Sequence, residues 1–135
     1  MRYAIIVGSG KLGSYIANLL SKDGNNVVVI DNNAETFEKL DENFSGFTIE
    51  GDGRELEILE KAKMSKADAV LCVTTDDNTN LMIAEIAKEI YKVKKVIARI
   101  GEPESGQIAQ KLGIETICPT ILSAEKFQEF MKTGS

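Results

Sequence analysis

The stretch Ala4-Ile5-Ile6-Val7-Gly8-Ser9-Gly10-Lys11-Leu12-Gly13 decides how the rest of this chain reads. Its first four residues are an unbroken apolar run, the pattern of a buried β-strand. The run breaks at Gly8, and Leu12, Ile16, Leu19 and Leu20 then fall at helical spacing. A G-x-G-x-x-G pattern therefore sits on a strand-to-helix turn, the context in which it binds dinucleotides. Gly8 suits the tight turn, Gly10 lets backbone N–H groups approach a pyrophosphate, and Gly13 lets helix and strand pack closely. The unpaired amides of the first helical turn favour an anion, and Lys11 adds a full positive charge beside them.

A second signal supports the first. Val27-Val28-Val29-Ile30 reads as another buried strand and ends on Asp31, with Asn32 following. A carboxylate at that tip, about 20 residues beyond the glycines, accepts both hydroxyls of an adenosine ribose. It also repels a ribose 2′-phosphate, so NAD is expected over NADP.

Composition narrows the remaining choices. The chain has 135 residues, 43% hydrophobic and 27% charged, which predicts one globular domain. No charged-apolar-small leader and no apolar run near 18 residues occurs, so neither a signal peptide nor a membrane span is expected. A net charge of -5 argues against nonspecific nucleic-acid binding. The basic cluster Lys92, Lys94 and Lys95 reads as a helix C-terminus. Cys72 and Cys118 read as two separate thiols of a reducing compartment. The absence of histidine removes Cys–His, Ser–His–Asp and histidine–metal chemistry, and no metal site is expected.

In order, a helix is expected from near Asn33 to Asn43 with Phe37 and Leu40 inward, and a third strand from Phe44 to Glu50. A short helix over Arg54–Lys63, a strand at Ala69–Val73 and a helix over Asn78–Tyr91 follow. Then come a strand at Lys95–Ile100, a helix over Ser105–Leu112 and a short strand at Thr116–Cys118. A terminal helix runs from Pro119 to about Lys132, and Thr133-Gly134-Ser135 reads as a frayed tail. Alternating strands and helices predict a single α/β Rossmann domain, with a doubly wound six-stranded parallel sheet in the order 3-2-1-4-5-6. The domain spans residues 1–119, and the helix at 120–132 is set apart from it. On that helix Ile121, Ala124, Phe127 and Phe130, widened by Leu122 and Met131, form an apolar face that predicts contact with another subunit. Covering its own sheet is the alternative.

Further candidates lie at the other strand ends. Gly51-Asp52-Gly53 is placed to meet the adenine edge, although Asp52 with Glu55 also spells a capping box. Thr74 and Thr75 are candidates for ribose or pyrophosphate contact, while Asp76, Asp77 or Asn78 caps the next helix. Arg99 is the odd residue of an apolar strand and needs a partner, either a ligand phosphate or a carboxylate such as Glu115. Tyr91 and Lys95 have the spacing of a short-chain dehydrogenase dyad, but Lys95 falls at the wrong end of its strand.

The glycine turn, Asp31, Gly51-Asp52-Gly53, Thr74-Thr75-Asp76-Asp77-Asn78-Thr79-Asn80 and Ile97-Ala98-Arg99-Ile100 together resemble the N-terminal nucleotide-binding (KTN or RCK-N) domain of Trk/Ktr potassium-uptake regulators. The resemblance extends to Gly113-Ile114-Glu115 and Cys118-Pro119. It implies a cytoplasmic domain without turnover that binds NAD(H) or an adenine nucleotide beside a membrane-embedded potassium transporter. It also implies homo-oligomers paired through a crossing helix, and a ligand-dependent change of shape. Family contacts carry over to Gly8, Ser9, Gly10, Lys11, Leu12, Asp31, Thr74, Thr75 and Arg99. The second, C-terminal lobe of such regulators has no counterpart here. Two other functions fit the residues: the cofactor subunit of a small NAD-dependent dehydrogenase or reductase, and an ATP- or ADP-binding module.

Overall fold

The computed structural model describes residues 2–133. Six strands, β1 (Tyr3–Val7), β2 (Asn26–Asp31), β3 (Phe47–Glu50), β4 (Ala69–Cys72), β5 (Lys95–Arg99) and β6 (Glu115–Ile117), form one parallel sheet. Its order is β3-β2-β1-β4-β5-β6, as the alternation of elements requires. Ile5 stands between Val28 and Val70 at the centre, which explains the continuous apolar runs: these strands are covered on both faces.

Strand alternation divides the core in two. Ile5, Val7, Val28, Ile30, Val70 and Cys72 face one side, where helices α2 (Leu56–Lys61), α3 (Asp77–Glu89) and α4 (Ser105–Lys111) supply Leu59, Ile83, Ala84, Ala87 and Ala109. Ile6, Val27 and Val29 face the other side, under helix α1 (Lys11–Lys22) and a 3-10 turn at Ala34–Lys39. The crossovers leave β1 in one direction and β4 in the other. Their C-terminal loops therefore part and open a crevice.

The helix expected over residues 33–43 is shorter and tighter than its apolar spacing suggests. Asn33 accepts the Glu35 amide at 3.1 Å, and the Thr36 hydroxyl bonds back to the Asn33 carbonyl at 2.8 Å. Such local side-chain bonds favour a turn over an α-helix. Phe37, Leu40 and Phe44 still pack against the α1 side of the core, so Phe44 is withdrawn from β3.

On α1 the large apolar residues are not the buried ones. Gly13, Ser14 and Ala17 face the sheet, while Leu12 is 39% and Leu19 50% exposed. Close approach of helix to sheet selects small residues at the contact. A Cβ on Gly13 would collide with the Gly8 carbonyl oxygen.

Helix α5 (Pro119–Thr133) begins on its proline, where the missing N–H costs nothing, and continues through Thr133, so the frayed end does not begin there. Gly134 and Ser135 lie outside the described residues. No residue of α5 is buried, and Phe127 at 73% and Met131 at 82% are among the most exposed apolar side chains. On the α1 side of the sheet, Ile97 is only half-buried and Ile117 is exposed, so that face is thinly covered over β5 and β6. Among the described residues no helix is long and apolar enough to cross a membrane.

Candidate nucleotide-binding site

The crevice is a cleft of about 520 Å³ at the C-terminal ends of β1 to β4. Gly8, Gly10, Asp31, Asn32, Gly51, Asp52, Thr74 and Thr75 line it. Ser9, Lys11, Leu12, Gly13 and Arg99 do not.

Two glycines of the turn have different physical causes. Gly8 has φ of 110°, and a Cβ there would lie 2.8 Å from the Thr74 amide nitrogen, so both conformation and space demand glycine. Gly10 is extended, and a Cβ would meet no protein atom within 4 Å. Nothing in the protein forbids a side chain at Gly10. The space it leaves lies in front of the amides of α1, and Gly10 makes no side-chain cap to them. That geometry suits an anionic group held by backbone N–H donors.

Asp31 ends β2 with its carboxylate already oriented. One oxygen accepts the Ser9 amide at 2.8 Å and the other the Asn33 amide at 2.9 Å. Each oxygen keeps lone pairs for a further donor, which is the capacity two ribose hydroxyls need. Ser9 is fully buried and serves from beneath: its amide holds Asp31 and its hydroxyl donates to the Thr36 carbonyl at 3.2 Å.

At the end of β3 the capping box does not form. Glu55 is the N-cap of α2 and makes no side-chain bond there. Asp52 is instead taken by Arg54, with Nε at 3.0 Å from Oδ1 and Nη2 at 2.7 Å from Oδ2. These bonds, with that from the Arg54 amide, hold the Asp52 carboxyl below its usual range. Gly53, expected at the adenine edge, lines the cleft, and so do Arg54, Thr36, Asp76 and Thr79, which local pattern does not single out as ligand contacts.

At the end of β4, Asp76 is the capping acid of α3. It accepts the Thr79 amide at 2.9 Å and the Thr79 hydroxyl at 2.6 Å, and these bonds lower its pKa. Asp77 turns away from the cleft to the β5–α4 loop, accepting the amides of Gly101 at 2.7 Å and Glu102 at 3.0 Å. Partial burial pushes the Asp77 carboxyl up, but those amides outweigh it and the net shift is downward.

The residue most used by this corner is Asn80, which is fully buried. Its Oδ1 accepts the Thr74 amide at 2.9 Å and the Thr74 hydroxyl at 2.6 Å. Its Nδ2 donates to the carbonyls of Thr74 and Arg99, each at 2.9 Å. One side chain thus fastens α3 to the ends of β4 and β5. Thr74 is committed to that network, which leaves Thr75 as the freer hydroxyl at the cleft wall.

Arg99 stands behind this wall. Its Nη1 lies 3.5 Å from the Thr74 carbonyl. Glu115 is not its partner: it pairs with Lys95 at 3.2 Å, because register sets Glu115 opposite Ile97 and Arg99 opposite Ile117. Lys95 also begins β5 far from the cleft, so it forms no dyad with Tyr91 there. Lys92 lies beyond the end of α3 at a φ of 57°, not within the helix. Cys72 and Cys118 are free thiols, and burial pushes Cys72 up to about 12. Among the described residues no group of acids and cysteines is arranged to hold a metal.

A family model described as the TrkA-N domain matches residues 4–120. The chain is similar to the "Trk system potassium uptake protein TrkA" of Streptomyces coelicolor, 33% identical over 92% of this chain and 56% of that protein. It spans about half the length of such relatives. Two solved structures share the fold. The Kef CTD of Shewanella denitrificans in AMP bound form has a TM-score of 0.82 at 22% identity, covering 98% of this chain and 82% of that one. The GsuK channel bound to NAD has a TM-score of 0.72 at 16% identity, covering 87% of this chain and 21% of that one.

Proposed function

The chain belongs to the TrkA-N domain family, and from that premise we propose that its cleft is the nucleotide sensor of a potassium-uptake system. NAD(H) is the first ligand, with ADP or ATP as the alternative. The observation that carries this reading is Asp31, whose carboxylate is oriented by two backbone amides at the mouth of a glycine turn. An adenosine ribose binds Asp31 and its phosphates meet the amides at the start of α1. Its base falls across Gly51 and Asp52 at the end of β3. Names of similar proteins support both ligand classes, one being AMP bound and another NAD bound. A relative named for potassium uptake supports the transport role, and in this reading the partner is a membrane-embedded transporter with the domain on its cytoplasmic side.

Regulation rather than turnover is the reading favoured by a nucleotide cleft in a sequence with no histidine to move protons. Calorimetric titration with NAD, NADH, ADP and ATP tests binding. Incubated with saturating protein and a panel of carbonyl and quinone acceptors, NADH is expected to keep its absorbance for hours. Stoichiometric loss with any acceptor would restore the dehydrogenase reading.

The regulator works as a homo-oligomer. Support comes from α5, which leaves Ile121, Leu122, Phe127, Phe130 and Met131 exposed, and from the thinly covered sheet face at Ile97 and Ile117. Apolar surface of this kind marks an interface. A second copy supplies a matching pair of surfaces, and ligand-driven movement of the cleft reaches the transporter through that assembly. Ending the chain at Thr120 is expected to reduce the mass measured by light scattering while nucleotide binding persists. An unchanged oligomeric mass would return α5 to its own domain.

A further inference from the structure

Resting on the reading of the cleft as an adenosine site, we propose that the guanidinium of Arg54 is the surface on which the nucleobase stacks, and that it makes the site selective for purines. The sheet order gives each part of a nucleotide its own strand end. The glycine turn follows β1, Asp31 ends β2 in the middle, and Gly51 to Arg54 follow β3. A ribose held by Asp31 therefore directs its base over the end of β3. Phosphates at the glycine turn lie two strand spacings away, about 10 Å. Gly51 and Gly53 let that floor pack tightly on the side chains beneath it: a Cβ on Gly51 would stand 2.5 Å from Ile58 Cδ1, and one on Gly53 would stand 2.8 Å from Val7 Cγ1. Asp52 and Arg54 alone project side chains from it.

The Arg54 side chain is positioned before any ligand arrives. Two of its nitrogens fork onto the Asp52 carboxylate, which fixes the orientation of the guanidinium plane. The side chain remains about half exposed, at 52%, and Nη1 has no hydrogen bond among the described residues. Among the described residues it is the one cation lining a cleft that also presents Asp31, Asp52 and Asp76. A planar cation with its edge engaged and a face open offers stacking and cation–π attraction to a large aromatic base. Asp52 thus orients Arg54.

Titration of the wild type, Arg54→Ala and Arg54→Lys with ADP and UDP tests this. Both variants are expected to lose about tenfold in ADP affinity while UDP binding barely changes, so the purine preference collapses. Lysine fails with alanine because it keeps the charge without the plane. Wild-type affinity for ADP in either variant would overturn the proposal. Equal weakening of ADP and UDP would also overturn it, by placing Arg54 on the phosphates. A wild type that binds neither nucleotide would instead sink the reading of the cleft, and the stacking role with it.

Discussion

Replacing Asn80 with alanine is expected to cost about 3–5 kcal/mol of folding stability, a large share of the roughly 5–15 kcal/mol typical of a whole domain. The side chain is fully buried and makes four hydrogen bonds, to the Thr74 amide, hydroxyl and carbonyl and to the Arg99 carbonyl. Truncation takes the Asn80 partner from the Thr74 amide and from the carbonyls of Thr74 and Arg99 at a part-buried corner, at about 1–3 kcal/mol for each group left unsatisfied. The Thr74 hydroxyl also contacts Asp76 at 3.2 Å and can turn to it, so its loss adds little. Asn80→Asp keeps the shape and the acceptor but loses both Nδ2–H donors and buries a charge, so it is expected to be at least as damaging at neutral pH. Urea unfolding midpoints decide the matter. An alanine variant within about 1 kcal/mol of wild type would mean the network contributes little.

The second large effect is on ligand affinity. Asp31→Ala removes charge-assisted bonds to the ribose, each about 1.5–3 kcal/mol, so NAD affinity is expected to fall by about a hundredfold or more. The substitution also frees the amides of Ser9 and Asn33, which adds a local cost in the turn. Asp31→Asn separates the two, because its carbonyl still accepts one amide while the charge is gone. Thermal unfolding reports the turn and calorimetry reports the ribose. Unchanged NAD affinity in Asp31→Ala would remove this residue from the site.

The glycine turn and Asp31 are legible in the sequence because their geometry is local: each follows directly from where an apolar run stops. Strand order is legible for the same reason, since alternation and handed crossovers leave little choice. Arg54 escapes notice because its meaning depends on Asp52 two residues earlier and on which side of β3 faces the crevice. Asn80 belongs to a visible polar motif, yet its four bonds run to Thr74, in the loop after β4, and to Arg99, at the end of β5. On α1, the spacing of large apolar residues is half informative: Ile16 and Leu20 pack against the core, Leu12 and Leu19 are exposed, and the tightest contact is made through Gly13, Ser14 and Ala17. The pairing of Glu115 with Lys95 rather than Arg99 is a matter of register, which no run of residues announces.

The bareness of α5 bears on thermodynamics as well as on shape. A lone helix of 15 residues is marginal in water, because nucleation is costly and propagation returns little per residue. With no buried side chain to hold it on its own domain, the order of residues 119–133 is linked to whatever covers them. Under the proposed self-association, assembly is also a helix–coil transition: dilution is expected to unwind the segment and higher concentration to wind it, so that far-ultraviolet circular dichroism follows mass action.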